Sequence, residues 1–235
     1  MATLVFDIET VGEQWSDLDV VTQEQLLRWA KRTARSPEEF TQLQADIVSG
    51  LGFSPLSGKV VALGLYDIER DLGVVYYVGD GSGAETVEGV YTYKERTESE
   101  LLREFWEGAK HYDTFVTFNG RQFDVPFLMH RSGVAQIRPS VNLLEGRYPY
   151  QQKHCRHVDL LDELTFFGAM SRRPSLHMFC RAYGIKSPKG TVDGDAVAKL
   201  AANRQFFAIA QYSSQDVIAT TELYKVWQAF FKPNP

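Results

Sequence analysis

The distribution of apolar and polar positions divides the chain into a strand-rich first half and a helix-rich second half. Thr-Leu-Val-Phe-Asp-Ile at residues 3–8 is a short, partly β-branched apolar run that reads as a buried strand ending in acids. Residues 20–50 are polar and carry helix starts, with Thr22 as a candidate cap and Ser36-Pro37-Glu38-Glu39 placing proline at the first helical position after a serine cap. Residues 59–68 and 73–79 read as two strands joined by the turn at Arg70-Asp71, with a further short strand at 90–93. Thr97 followed by Glu100 predicts a capped helix over 98–109, then a strand over 114–118. Beyond it the spacing predicts helices over 123–130, 160–167, 176–183, 192–202 and 205–230, and a loop over 133–155. There is no internal repeat. The pattern predicts one α/β domain spanning 1–235, built on a mixed sheet, with residues 12–57 as a helical insertion after the first strand.

Composition narrows the class. At 235 residues with 44% hydrophobic and 23% charged positions, the chain can bury its own core and lacks the apolar poverty of disordered proteins. No apolar run approaches the roughly 20 residues of a membrane span. The opening Met-Ala-Thr-Leu-Val-Phe-Asp has no basic leader, so a cytoplasmic protein with no membrane partner is expected. Cys155 and Cys180 are too few for a disulfide framework, which suits a reducing compartment. Charge is uneven: 10 Lys/Arg stand against 21 Asp/Glu up to Asp113, and 15 against 9 from Thr114 onward. A basic second half beside acidic clusters points to a polyanion held next to a metal site; two solvated surfaces of different sign are the alternative.

Three constellations carry candidate chemistry. Asp7 and Glu9 are two apart on the first strand, so its period of two sends both carboxylates to one face and Ile8 to the other. Such a pair is poorly solvated unless a cation or proton compensates it, although Asp17 and Asp19 share the spacing with no evident role. Asn119-Gly-Arg-Gln-Phe123-Asp124-Val-Pro126 follows an apolar strand directly and presents an acid at the sheet's mouth; a plain helix cap would use Asp124 equally well. Tyr212 and Asp216, four apart in the last helix, share a face about one turn apart, a spacing that Tyr76 and Asp80 repeat.

In this order, Phe-Asp7-Ile-Glu9-Thr10, Asn119 with Phe123-Asp124-x-Pro126, and Tyr212-x-x-x-Asp216 resemble the three motifs of the DEDD, RNase H-like 3′→5′ exonucleases. The likeness spans nearly the whole chain. The histidine-bearing branch has His five residues before the last acid; Gln211 stands there, so the chain resembles the tyrosine-bearing branch. Val158-Asp159-Leu160, Ser175-Leu176, Tyr183-Gly184-Ile185, Lys189-Gly190 and Asp193-Gly194 are similar to stand-alone bacterial relatives of the family B DNA polymerase proofreading exonuclease. The resemblance implies an RNase H-like mixed five-stranded sheet and a two-metal site in which Asp7 bridges both ions. Glu9 and Asp216 would complete the water-activating metal's site, and Asp124 would support the second. Hard oxygen ligands without Cys or His suit Mg²⁺ or Mn²⁺. Tyr212, with a phenol pKa ordinarily near 10, would position the attacking water rather than take its proton.

The implied activity is removal of nucleoside monophosphates from the 3′ ends of single-stranded DNA. An RNA-trimming exonuclease of the same chemistry and a nucleic-acid-binding module with a silent site remain as alternatives, and the sequence does not define an oligomeric state. Candidate substrate contacts are Thr10, Asn119, Phe123, Lys186 and Lys189, with Arg172-Arg173 as further phosphate ligands and Leu128 as a possible base wedge; a solvated loop or core packing is the alternative for each. His154-Cys155-Arg156-His157 has no second pair at zinc-site spacing, and Gly79-Asp-Gly-Ser-Gly83 lacks the Lys-Ser/Thr of a phosphate loop. At 235 residues no polymerase domain is expected beside this module, so a proofreading role would be expected to need a partner chain.

Overall fold

A computed structural model describes residues 2–187 and 194–232. Strand β1 (Thr3–Gly12) continues beyond the predicted apolar run. Helices α1 (Val20–Thr33) and α2 (Pro37–Ser49) follow, and a 3₁₀ turn (Gly50–Phe53) leads into β2 (Gly58–Asp67). Ser36 caps α2 as predicted, accepting the Glu39 N–H at 3.2 Å. The cap of α1 is Asp19, not Thr22: its carboxylate accepts both the N–H and the hydroxyl of Thr22, two bonds that the threonine could not supply to itself.

The hairpin of β2 and β3 (Leu72–Tyr77) turns at Asp71, which is in the left-handed region at φ 57°. Next come β4 (Glu85–Glu88), β5 (Tyr91–Glu95), α3 (Glu98–Ala109) behind its Thr97–Glu100 capping box, and β6 (Thr114–Thr117). The glycine-rich segment before β4 wraps the Glu95 carboxylate, which accepts the Gly81 N–H at 2.6 Å and the Ser82 hydroxyl. Helix α4 (Asp124–Val134) and an irregular segment precede β7 (Arg156–Asp159), α5 (Leu160–Leu164), α6 (Leu176–Tyr183), α7 (Gly194–Ala202) and α8 (Phe206–Phe230).

All seven strands form one mixed sheet, ordered β4-β5-β3-β2-β1-β6-β7. The fold class is the expected α/β one, but the sheet has two strands more than the five predicted. β4 is exposed throughout and shows no apolar alternation, and β7 is a four-residue strand whose His and Asp are buried.

The period of two on β1 sorts the core. Leu4, Phe6 and Ile8 pack with α3 and α4 on one side. On the other, Val5 packs with Val116, Val158 and the α8 residues Val217, Leu223 and Trp227. Helix α8 lies close on the sheet because β2 offers no side chain at Gly64: a Cβ there would lie 2.7 Å from Ser213 Oγ and 2.8 Å from Val217 Cγ2. Gly64 is the register partner of Asp7. No described helix is long and apolar enough to cross a membrane.

Candidate functional site

The alternation that places Ile8 in the α3–α4 core turns Asp7 and Glu9 toward α8. There α8 presents Tyr212 and Asp216 from one face. The structure brings one carboxylate oxygen from each of Asp7, Glu9 and Asp216 within 4.8 Å of one another. Tyr212 is hydrogen-bonded to Asp216.

Asp124 joins them from the opposite face. It is the first residue of α4, is 2% exposed, and accepts the Ile8 N–H at 3.0 Å, so it binds the backbone between Asp7 and Glu9. Its oxygen is spent on a strand 116 residues away rather than on capping its own helix. The elbow that delivers it turns at Asn119, in the left-handed region at φ 65°. Gly120 lies against Thr117 there, where a Cβ would sit 2.4 Å from Oγ1. Asp159, at the end of β7, holds the elbow by accepting the N–H groups of Asn119 and Arg121, both at 2.9 Å, and also the Leu161 N–H at 3.0 Å. Sequence reasoning assigned Asp159 no role, because the strand it closes, Arg156-His157-Val158-Asp159, has no apolar alternation.

The electrostatics are those of a site short of positive charge. Burial, then the charges of Asp124, Asp216 and Glu9, raises the Asp7 carboxyl well above its usual range. Burial, Asp216 and Asp124 do the same to Glu9. Asp124 is pushed up to about 7, first by burial, against the lowering effect of the Ile8 N–H. Burial, Asp216 and Glu9 raise the Tyr212 phenol far above 10, so it stays protonated. A set of hard carboxylate oxygens whose mutual repulsion a divalent cation would relieve fits Mg²⁺ or Mn²⁺.

Asp7, Tyr212 and Asp216 open onto a cleft of about 460 Å³ also lined by Asn119, Arg173 and His177. Arg173 donates to Asn119 Oδ1 at 3.0 Å, a cation brought to the acids that the sequence offered only as one of a pair. The other candidate contacts are dispersed. The Thr10 hydroxyl donates to the Gly52 carbonyl at 2.7 Å, tying β1 to the insertion. Phe123 packs edge-on against Phe53, and Leu128 is fully buried in the core, which removes it as a base wedge. Lys186 lines a separate depression with Glu222 and Lys225. Lys189, with Gly190 and Asp193, lies outside the described residues. The His154–His157 segment is divided: His154 pairs with Glu145, Cys155 is buried, and His157 bonds Thr117 and Leu143.

Comparison with known proteins gives three findings. The family described as predicted 3'-5' exonuclease related to the exonuclease domain of PolB matches residues 71–231, a stretch holding Asp124, Tyr212 and Asp216 but not Asp7 or Glu9. The DNA polymerase 1 of Saccharolobus solfataricus is 22% identical over 138 residues, covering 54% of this chain and 15% of that one. The family B DNA polymerase of the archaeon Pyrobaculum calidifontis superposes with a TM-score of 0.59 at 19% identity, covering 97% of this chain and 25% of that one. The chain thus spans a quarter or less of either polymerase.

Proposed function

The chain belongs to the family of predicted 3'-5' exonucleases related to the exonuclease domain of PolB, and from that premise we propose a metal-dependent enzyme of the tyrosine-bearing DEDD branch that digests single-stranded DNA from its 3′ end. The whole of 1–235 is read as one exonuclease domain. The observation that carries this is the convergence of Asp7, Glu9 and Asp216 within 4.8 Å, with Asp124 fixed to the backbone between the first two. Asp7, Glu9 and Asp216 would hold one Mg²⁺ or Mn²⁺, and Asp7 with Asp124 a second. Divalent cations in such a site supply charge that stabilises a reacting phosphate and acidifies water.

The chain's own groups do the positioning. Tyr212 stays protonated, so its hydroxyl donates to Asp216 while its oxygen is free to accept from a water and orient it toward the terminal phosphorus. Asn119 and Arg173 flank the acids, the guanidinium offering fixed donors to the phosphate. Water oxygen bonds to phosphorus and gives its proton to solvent, the P–O3′ bond breaks, and the O3′ of the penultimate nucleotide takes a proton from solvent to leave as a new 3′-hydroxyl with release of a nucleoside 5′-monophosphate.

The test is digestion of 5′-labelled single- and double-stranded DNA and RNA with Mg²⁺, Mn²⁺ or EDTA. The expected result is a ladder on single-stranded DNA that EDTA abolishes. Digestion of RNA alone would make the enzyme an exoribonuclease, and no digestion of any substrate would overturn the assignment.

A further inference from the structure

Outside the cleft, one surface joins exposed aromatic rings to exposed positive charge. Tyr148 and Tyr150 stack with centroids 5.8 Å apart and planes 5° from parallel. The other side of the group is Phe167, 5.1 Å from Tyr148. Tyr150 is 80% exposed, an unusual place for a large ring that packs only on a neighbour. Phe166 and Phe167 are both left-handed, at φ 52° and 55°, a costly conformation for bulky residues. That turn separates the two rings: Phe167 goes to Tyr148 and Phe166 toward Phe231.

Charge and continuity identify what these rings meet. From Asn142 to Pro174 the exposed ionised side chains include Arg147, Lys153, Arg172 and Arg173, while Glu145, Asp159, Asp162 and Glu163 are all buried or half-buried. Arg147 ties the segment to α5 through Asp162 at 2.8 Å. The residue before Asp162, Leu161, lines the acidic cleft, and Arg173 lines it from the other end of the same segment. Phe167 is six residues from Leu161, so their Cα atoms are at most roughly 22 Å apart. That span is short enough for a strand of several nucleotides leaving the cleft to reach the rings.

We propose that Tyr148, Tyr150 and Phe167 form a stacking platform for the bases of single-stranded DNA on the 5′ side of the cleaved nucleotide, with Arg147, Arg172 and Arg173 along its phosphates. The proposal rests on the exonuclease assignment and adds to it a binding site away from the acids. Stacking on such rings tolerates any base, since each has a π-face. It would hold the substrate between successive cleavages without reading its sequence.

The test is fluorescence anisotropy in EDTA with 5′-labelled thymidine oligonucleotides of about 4 and about 12 residues, using wild type, Tyr148→Ala, Tyr150→Ala and Tyr150→Trp. The wild type binds the longer strand more tightly. Tyr150→Ala and Tyr148→Ala weaken the longer strand about 5- to 100-fold, with a smaller effect on the short one, and Tyr150→Trp keeps wild-type affinity because an indole also stacks. Thermal melting of each variant checks the fold, which the exposed Tyr150 ring does not support. Affinity of both alanine variants within twofold of wild type overturns the platform, and is the outcome if this face instead receives a protein. Digestion by the wild type in Mn²⁺, run alongside, separates the two claims. If it digests while affinities are unchanged, the platform alone fails; if it digests no nucleic acid, the exonuclease assignment fails.

Discussion

At the Tyr212 hydroxyl, burial and the negative charges of Asp216 and Glu9 all act in one direction, keeping the phenol protonated across the range in which the protein would work. In the proposed mechanism it would therefore donate to Asp216 and position water, and its removal should slow the reaction without ending it. Tyr212→Phe is expected to lower the single-turnover rate at saturating Mn²⁺ by about 10- to 1,000-fold, and Asp216→Asn by more. The double variant should lose less than the product of the two if, as proposed, both act on one water. Full-rate cleavage by Tyr212→Phe would reduce the residue to packing. The pKa of Asp124 is raised by burial too, with the Ile8 N–H pulling the other way. Its raised pKa means that the folded state holds the proton more tightly than the unfolded state, a stabilisation present at acid pH and lost as pH rises toward about 7. Above that pH, Asp124→Asn should melt no lower than wild type in EDTA, since the amide oxygen still accepts the Ile8 N–H and the repulsion is gone. These acids were legible because the strand and helix periods put Asp7 with Glu9 and Tyr212 with Asp216 on common faces, and because, with Asp124, they resemble three exonuclease motifs in order. The substrate contacts were not: whether Arg173 or Lys186 reaches the cleft depends on how far apart the tertiary fold sets them, and no local period encodes that.

Among the elements, the contact of α8 with β2 does most to assemble the site. Gly64→Ala would place a methyl group within 3 Å of the Ser213 and Val217 side chains, which are packed against the strand partner of Asp7, so these side chains must shift and are expected to push α8 outward. The expected cost is about 1–3 kcal/mol of stability, with a loss of kcat larger than that destabilisation explains, because Tyr212 and Asp216 move with the helix. Wild-type kcat in a folded Gly64→Ala variant would contradict this. β7 supplies a pH-dependent element. His157 is buried and pushed down to about 3, chiefly by desolvation, with the Leu143 carbonyl and the Thr117 hydroxyl occupying its two nitrogens. The unfolded chain takes up that proton near pH 6.5 and the folded one does not, so stability is full above about 6.5 and falls by about 1.4 kcal/mol per unit toward pH 3. Urea unfolding against pH should show a shallower acid limb for His157→Gln; identical limbs would contradict it. β7 was invisible in the sequence because its buried polar residues gave no apolar alternation, whereas α3 was legible from its Thr97–Glu100 cap and α6 and α8 from their apolar spacing.

For the whole molecule, the order of segments matters more than their length. Acids from residues 7 to 216 meet only because β1 lies inside the sheet, between β2 and β6, with α4 beginning at one side of it and α8 crossing the other. The insertion of α1 and α2 is anchored to the same end of β1 through Thr10–Gly52 and to the Asp124 elbow through Phe53–Phe123. The uneven charge read from the sequence also has a structural counterpart, since the basic segment from Arg147 to Arg173 borders the acid cleft. The central claim is that this acid cluster hydrolyses nucleic acid from a free 3′ end. The most direct test compares wild type, Asp7→Asn and Asp124→Asn in Mn²⁺ on a 5′-labelled linear single strand and on a closed single-stranded circle. The account predicts stepwise shortening of the linear strand by wild type alone and an intact circle throughout; near-wild-type cleavage by either variant, or a cut circle, would contradict it.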